Sequence, residues 1–264
     1  MSQPLPRHNS AIVDFQSKRG DSSAAFFLPF LTREMTLLDI GCGPGTITAA
    51  LAASVKSAIG LDREPKAIAR ADQLAQEAGT TNLRFVEADM NALPFADGEI
   101  DAVFFHAVLY HLGPAELFSA LAEARRVLRP GGLIGVRDSD IGGNVLYPDS
   151  AGLKLSLDLW SRWYQHADAD ADRFGRRQGA VLRAHGFAPI WSGASFVNHS
   201  ADAMTRRATV TDAKRSLEAL RHDLIAKGLA KDSEIQQARL AWDAWGGHPD
   251  AVYLRCRCEC VARK

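Results

Sequence analysis

Residues 37–45 read Leu37-Leu38-Asp39-Ile40-Gly41-Cys42-Gly43-Pro44-Gly45, and the fold is decided there. An apolar run of strand length ends in three alternating glycines, and a helical segment opens near Thr46. Glycine at these positions permits positive φ and lets the backbone approach a ligand where a side chain would collide. The helix start behind the turn offers unsatisfied N–H groups and positive potential, which suit the carboxylate of a bound amino acid. A dinucleotide fingerprint is the nearest competing motif. It requires G-x-G-x-x-G, and its sixth position here is Thr46 rather than glycine.

Outward from this loop the text alternates between two signals as far as Ser139. Apolar runs at Thr36–Ile40, Ser57–Asp62, Leu83–Asp89, Ile100–His106 and Gly132–Asp138 have the length of strands buried on both faces. Between them, Glu64–Ala78 has Pro65 at its first turn and Gly79 as its stop, while Pro114–Leu128 ends at Pro130-Gly131-Gly132. Strand, helix and strand repeated in this way predict a parallel sheet with right-handed crossovers. The rhythm changes after Asp140. An aromatic helical stretch at Leu153–Tyr164 is followed by an Asp/Ala loop, a helix at Arg176–His185 and a sixth strand at Phe187–Val197. A largely helical Asp202–Trp245 and a seventh strand at Ala251–Val261 complete the chain.

The 264 residues fit one large domain with insertions, and an apolar content of 47% with 23% charged residues is enough to build a full core. A net charge of +0 lacks the basic surplus that meets phosphates, so no nucleic-acid partner is expected. No apolar run has signal-peptide or membrane length, and the expected location is cytoplasmic, with thiols reduced. Cys256, Cys258 and Cys260 alternate on the last strand, roughly 7 Å apart on one face. They are expected to pack there rather than bind metal, and no metal site is expected.

Asp62 ends the second strand about twenty residues beyond the glycine loop, where an acid accepts ribose hydroxyls. Asp89-Met90 ends the third strand, suited to an adenine amino group and the base. Together with the loop they predict an adenosine ligand.

LLDIGCGPG at Leu37–Gly45, GLD at Gly60–Asp62, EADM at Glu87–Met90, LPFADGEIDAVFFHAVLYHL at Leu93–Leu112 and RRVLRPGG at Arg125–Gly132 resemble class I S-adenosylmethionine (SAM) dependent methyltransferases of the UbiE-like type. The resemblance spans roughly Leu37–Asp140. It implies an α/β doubly wound, seven-stranded, mostly parallel sheet of order 3-2-1-4-5-7-6 with the last strand antiparallel and helical cap insertions. An N-terminal helical segment at 1–35, a Rossmann-like core at 36–140 and a remainder at 141–264 follow. By matching position the resemblance assigns Asp39, Gly41 and Gly43 to the methionine end of SAM, Asp62 and Arg63 to the ribose, and Asp89 and Met90 to the adenine. The backbone carbonyl of His106 meets the SAM amino group, and Arg19 reaches the carboxylate. The acceptor is not carried over; a small molecule is expected.

SAM supplies the electrophile, so the protein has to position the acceptor and remove a proton where one must leave. His106, at the carboxyl end of the fourth strand, is the expected general base, or serves through its backbone alone. Arg137, Asp138 and Asp140 orient a polar acceptor or are solvated; Tyr147, Trp160, Trp163 and Tyr164 line a pocket or belong to a core. Two other functions compete with methyl transfer: nicotinamide-dependent oxidoreduction, and SAM binding without transfer.

Overall fold

The computed structural model describes residues 23–166, 169 and 173–264. Eight strands occur among the described residues: β1 (Thr36–Ile40), β2 (Ser57–Asp62), β3 (Leu83–Glu87), β4 (Ile100–His106), β5 (Leu128–Ser139), β6 (Val145–Tyr147), β7 (Ala188–Asn198) and β8 (Val252–Arg263). The helices are α1 (Thr46–Ala52), α2 (Pro65–Ala78), α3 (Pro114–Val127), α4 (Ala151–His166), α5 (Phe174–Ala184), α6 (Ala203–Ala226) and α7 (Asp232–Gly247). β1 pairs in parallel with β2 and β4, β2 with β3, and β4 with β5. The sheet order is β3-β2-β1-β4-β5-β8-β6, and β7 also pairs with β8. The expected sixth and seventh strands are β7 and β8, so the expected order holds. β6, three residues paired antiparallel to Val252–Leu254, is the strand that periodicity does not reveal.

Several boundaries move for local reasons. The Pro130-Gly131-Gly132 segment does not separate helix from strand. α3 stops at Val127 and β5 begins at Leu128, with a register irregularity opposite Ile100 and Ala102. The long helical region divides at 227–231, where Gly228 takes a φ of 67°. Before β1, residues 23–35 hold turns and a 3-10 helix at Leu28–Phe30.

The described residues form two compact units: 23–138, 177–193 and 259–264 in the first; 139–166, 169, 173–176 and 194–258 in the second. The first unit holds β1 to β4, and its strand interiors are apolar as the sequence patterning requires: Leu37, Leu38, Ile40, Ala102, Val103, Phe104 and Phe105 are all buried. Phe27 anchors the chain entering this core. Its ring stacks on Phe104 at 5.7 Å and lies against Gly135, where an added Cβ would come within 2.8 Å of it.

In the second unit, α4, α6 and α7 share an apolar interior that includes Leu153, Leu159, Leu217, Leu220, Leu224, Ile235, Trp242 and Trp245. Gly152 admits Ala241, whose methyl would lie 2.5 Å from an added Cβ. The Trp242 indole N–H donates to the Ser156 hydroxyl at 2.8 Å, and that of Trp245 to the Tyr147 carbonyl at 3.0 Å. Trp163 and Tyr164 are buried in the same unit. Asp202 caps α6 by accepting from the Thr205 N–H at 2.8 Å.

Because the Phe27 ring fills the space over Gly135, Phe27→Ala should leave a cavity and destabilise the protein by about 3–5 kcal/mol. Urea unfolding of the variant against the parent measures this. A loss below about 1 kcal/mol would contradict the packing described.

Candidate active site

The glycine loop follows β1 and bends back onto the end of β2. Gly41, Gly43 and Gly45 all hold positive φ, at 76°, 54° and 75°. The Gly41 and Cys42 N–H groups donate to the Leu61 carbonyl at 2.7 and 3.0 Å. The Gly43 N–H donates to Asp62 Oδ2 at 2.9 Å, and Asp62 Oδ1 accepts from the Glu64 N–H at 3.0 Å. Each carboxylate oxygen keeps a second acceptor direction. The glycines are demanded by packing as well as by φ. An added Cβ at Gly41 would meet a Val108 methyl at 2.5 Å, and one at Gly45 would collide with the Phe85 ring.

Asp39 and Asp62 are both buried. The Thr48 hydroxyl donates to Asp39 Oδ2 at 2.6 Å, pinning α1 to β1. Burial pushes the Asp39 carboxyl up to about 7; the Thr48 bond opposes the shift and the Asp62 charge adds to it. Arg63 is exposed beside Asp62. Asp89 lies past the end of β3 rather than on it. It is exposed, with Oδ1 accepting from the backbone and side-chain nitrogens of Asn91, both at 2.8 Å. The Ala88 N–H donates to the Asp62 carbonyl at 3.1 Å, so the chain leading to Asp89 and half-buried Met90 leaves beside the end of β2. Arg19 lies outside the described residues.

β4 ends at His106, and the chain turns at Ala107, which holds a φ of 57°. A non-glycine residue in this region is uncommon and carries strain that its surroundings must hold. Here the Ala107 N–H donates to the Arg137 carbonyl at 2.9 Å, and Val108 sits over Gly41. This turn therefore joins the end of β4 to the glycine loop. The His106 imidazole is buried, its Nε2 2.9 Å from Arg137 Nη1, while Arg137 Nε donates to Glu259 Oε1 at 2.9 Å. Arginine only donates, so His106 Nε2 is the acceptor. The ring lone pair that a neutral imidazole would use as a general base is engaged in this arrangement. Glu259 was not singled out by sequence reasoning; it lies on β8, and only strand pairing brings it to Arg137.

Asp138 and Asp140 are buried rather than solvated. In the second unit Asp140 accepts from the Arg176 backbone N–H at 2.9 Å and from its guanidinium at 2.8 and 2.6 Å. Burial alone would raise its carboxyl, but the bonds from Arg176 outweigh it and hold it below the ordinary value. Cys256 and Cys258 lie beside Gly143 and Gly175. Burial raises both thiols, that of Cys258 to about 12, so both stay protonated at neutral pH.

A methyltransferase-domain family model matches residues 37–132. Over 269 aligned residues the chain is 31% identical to "Probable methyltransferase ltbC" of Aspergillus luteorubrus, which covers 94% of this chain and 92% of that protein. The fold resembles the YcgJ protein of Bacillus subtilis with a TM-score of 0.58 at 21% identity, over 92% of this chain and 98% of that one. It also resembles phosphoethanolamine N-methyltransferase 2 of Haemonchus contortus, solved with phosphomonomethylethanolamine and S-adenosylhomocysteine. The TM-score there is 0.59 at 14% identity, over 98% of this chain and 59% of that one. The chain belongs to the class I SAM-dependent methyltransferases. It is a SAM-dependent enzyme, and nicotinamide-dependent oxidoreduction is set aside. The loop fits such a cofactor: positive-φ glycines expose backbone, and a buried acid stands at the end of the next strand.

The raised Asp39 carboxyl has a consequence for stability. A group whose folded value exceeds its unfolded value stabilises the fold fully below the unfolded value and loses that contribution as pH rises through the folded one. Between about pH 4 and about pH 7, Asp39 should therefore withdraw on the order of 4 kcal/mol from the ligand-free protein. Asp39→Asn should flatten that part of the profile, measured as unfolding free energy against pH. An unchanged slope would contradict the assignment.

Proposed function

We propose that the protein transfers the methyl group of SAM to a small, partly apolar metabolite, and that within its family it stands with the UbiE-like enzymes. One observation carries the cofactor half of this reading: three glycines held at positive φ are tied through Gly43 to the buried carboxylate of Asp62. The balanced net charge supports a small acceptor over a nucleic acid. The UbiE-like placement is supported by the order of LLDIGCGPG, GLD, EADM and RRVLRPGG along the chain.

When bound, SAM supplies a methyl group on a sulfonium, the electrophile of an in-line displacement. The remaining work belongs to the chain. Gly41 and Gly43 present backbone to the methionine end, and Asp39 holds that loop through Thr48. Asp62 turns its second acceptor directions to the ribose hydroxyls, with Arg63 beside it. Asp89 accepts from the adenine amino group and Met90 covers the base; Arg19 serves the methionine carboxylate. His106 stands at the reacting end, its carbonyl on the SAM amino group. The helices of the second unit fall outside the residues matched by the family model, and we assign acceptor selection to them. The location proposed is the cytoplasm; among the described residues no helix is long and apolar enough to cross a membrane.

Two experiments test this reading. SAM carrying an isotopic label in its methyl group, incubated with the protein and a metabolite extract, should yield a labelled small molecule and S-adenosylhomocysteine by mass spectrometry. Binding of SAM without either product would favour a protein that binds the cofactor and does not transfer its methyl group. Asp62→Ala should weaken SAM and S-adenosylhomocysteine by about 10- to 150-fold, the equivalent of one charge-assisted hydrogen bond of about 1.5–3 kcal/mol. Equal affinities in calorimetry, with the variant folded, would refute the ribose assignment.

A further inference from the structure

A hollow of about 590 Å³ opens in the first unit at the amino ends of β4 and β5. Its volume is that of a small-molecule site, and it lies at the opposite ends of these strands from His106 and the turn at Ala107. Phe118, Ala122 and Pro130 supply apolar lining; Phe118 is 65% exposed, its ring 5.7 Å from that of His185. Two cations, Arg125 and Lys264, stand in the same lining. Arg125 Nε donates to the Gly186 carbonyl at 3.3 Å, and an added Cβ at Gly186 would lie 2.9 Å from that nitrogen, so the missing side chain seats the guanidinium. Lys264 Nζ donates to the Leu128 carbonyl at 2.6 Å.

Basic residues in the last turn of a helix ordinarily offset its dipole, and neighbouring Arg126 has a structural use of this kind. It pairs with Glu123 at 2.7 Å and with Asp97, the acid of the lining, at 2.8 Å, and donates to the Phe95 and Leu93 carbonyls at 2.8 and 3.0 Å. Arg125 and Lys264 differ. Neither pairs with a carboxylate among the described residues, and the outer guanidinium nitrogens of Arg125 have no partner among them. Burial, and then the Arg125 charge, hold the Lys264 ammonium below its ordinary value against the opposing pull of Asp97. His185 Nδ1 donates to the Val181 carbonyl at 2.8 Å, which leaves Nε2 without a partner among the described residues.

We propose that this hollow is a second ligand site, built for a small aromatic carboxylate. The planar body packs on Phe118, Ala122 and Pro130. The carboxylate takes the outer N–H groups of Arg125, whose planar fork matches it, and a remaining N–H of Lys264. An anion beside both cations relieves the repulsion between them. The surroundings favour a carboxylate over a phosphate dianion. Arg125 stands in the last turn of α3 and His185 directly follows α5, so two helix C-termini border the hollow with the negative ends of their dipoles, and its lining holds no helix N-terminus. His185 Nε2 accepts from a hydroxyl or ring N–H on the bound compound. No bond is made or broken here, and the site draws on neither the glycine loop nor Asp62.

The test is a titration of the nitrogen-15-labelled whole chain with benzoate and with phenylacetate, in the presence of S-adenosylhomocysteine to occupy the cofactor site. At least one of the two should shift the amides of Gly98, Phe118, Ala122, Arg125, Gly186 and Lys264 saturably, with a Kd of about 1 mM or below. Arg125→Gln, which keeps a donor for the Gly186 carbonyl, should weaken binding about tenfold or more. Phe118→Ser, at an exposed position, should weaken it as well. Benzyl alcohol, which has the ring without the charge, and acetate, which has the charge without the ring, should each bind about tenfold or more weakly than the better carboxylate. The absence of saturable shifts at these amides up to about 10 mM, shifts centred on 39–48 and 60–64 in their place, or an unchanged Kd in folded Arg125→Gln overturns the site. Benzyl alcohol or acetate binding as tightly as the better carboxylate, or inorganic phosphate displacing it at equal concentration, overturns the ligand class. Repeating the titration without S-adenosylhomocysteine separates the two readings: a protein that fails to bind that compound would sink the cofactor assignment and leave this site intact.

Discussion

The hydrogen bond from the Gly43 N–H to the Asp62 carboxylate is the contact on which the cofactor end of the structure depends. It ties the turn after β1 to the end of β2 across 19 residues of chain. It also requires the loop backbone to turn its N–H groups toward the strand ends, which only positive φ at Gly41, Gly43 and Gly45 allows. Val108 and Phe85 then occupy the space that side chains at Gly41 and Gly45 would need. The glycine pattern is therefore fixed twice, by backbone conformation and by close packing. Either demand alone would tolerate fewer substitutions than a free turn.

This arrangement brings two buried carboxyl groups, Asp39 and Asp62, into one small region. Two nearby negative charges in a poorly solvated place cannot both ionise cheaply. The strain falls on Asp39, whose carboxyl is pushed up by burial and by its neighbour while Thr48 holds it in place. Asp62 accepts backbone N–H groups on both of its oxygens. At the far side of the same sheet edge, Arg137 and Glu259 bury a pair of opposite charges and engage His106. The strand ends thus gather two buried acids beside β1 and β2, and a buried ion pair with a histidine beside β4 and β5.

Much of this was legible in the sequence, and what was not has a physical cause. The loop Gly41–Gly45, β1 to β5 and the acid Asp62 are read from local patterns, because apolar runs and glycine spacing act over a few residues, whereas Asp39 entered through the family resemblance. The order of the strands followed from the family resemblance. β6 was missed because three residues carry no periodicity, and β6 exists only through pairing with Val252–Leu254. The helical region 202–245 divides at the Gly228 turn, which the sequence reading did not mark. Asp89 was placed on a strand and lies in the turn beyond it, its carboxylate held by Asn91. His106 was read from its position alone, as a base or as a backbone contact. Its partner Arg137 lies 31 residues away and Glu259 a further 122, contacts that no sequence spacing announces.

The claim that the glycine loop and its strand-end acids hold the cofactor is tested most directly by amide hydrogen exchange of the purified protein, with and without S-adenosylhomocysteine. This account predicts added protection at 39–48, 60–64 and 105–108, the three stretches that the Gly43–Asp62 bond and the Val108 contact join together. Binding that leaves these amides unprotected, or that protects a separate region in their place, would contradict it.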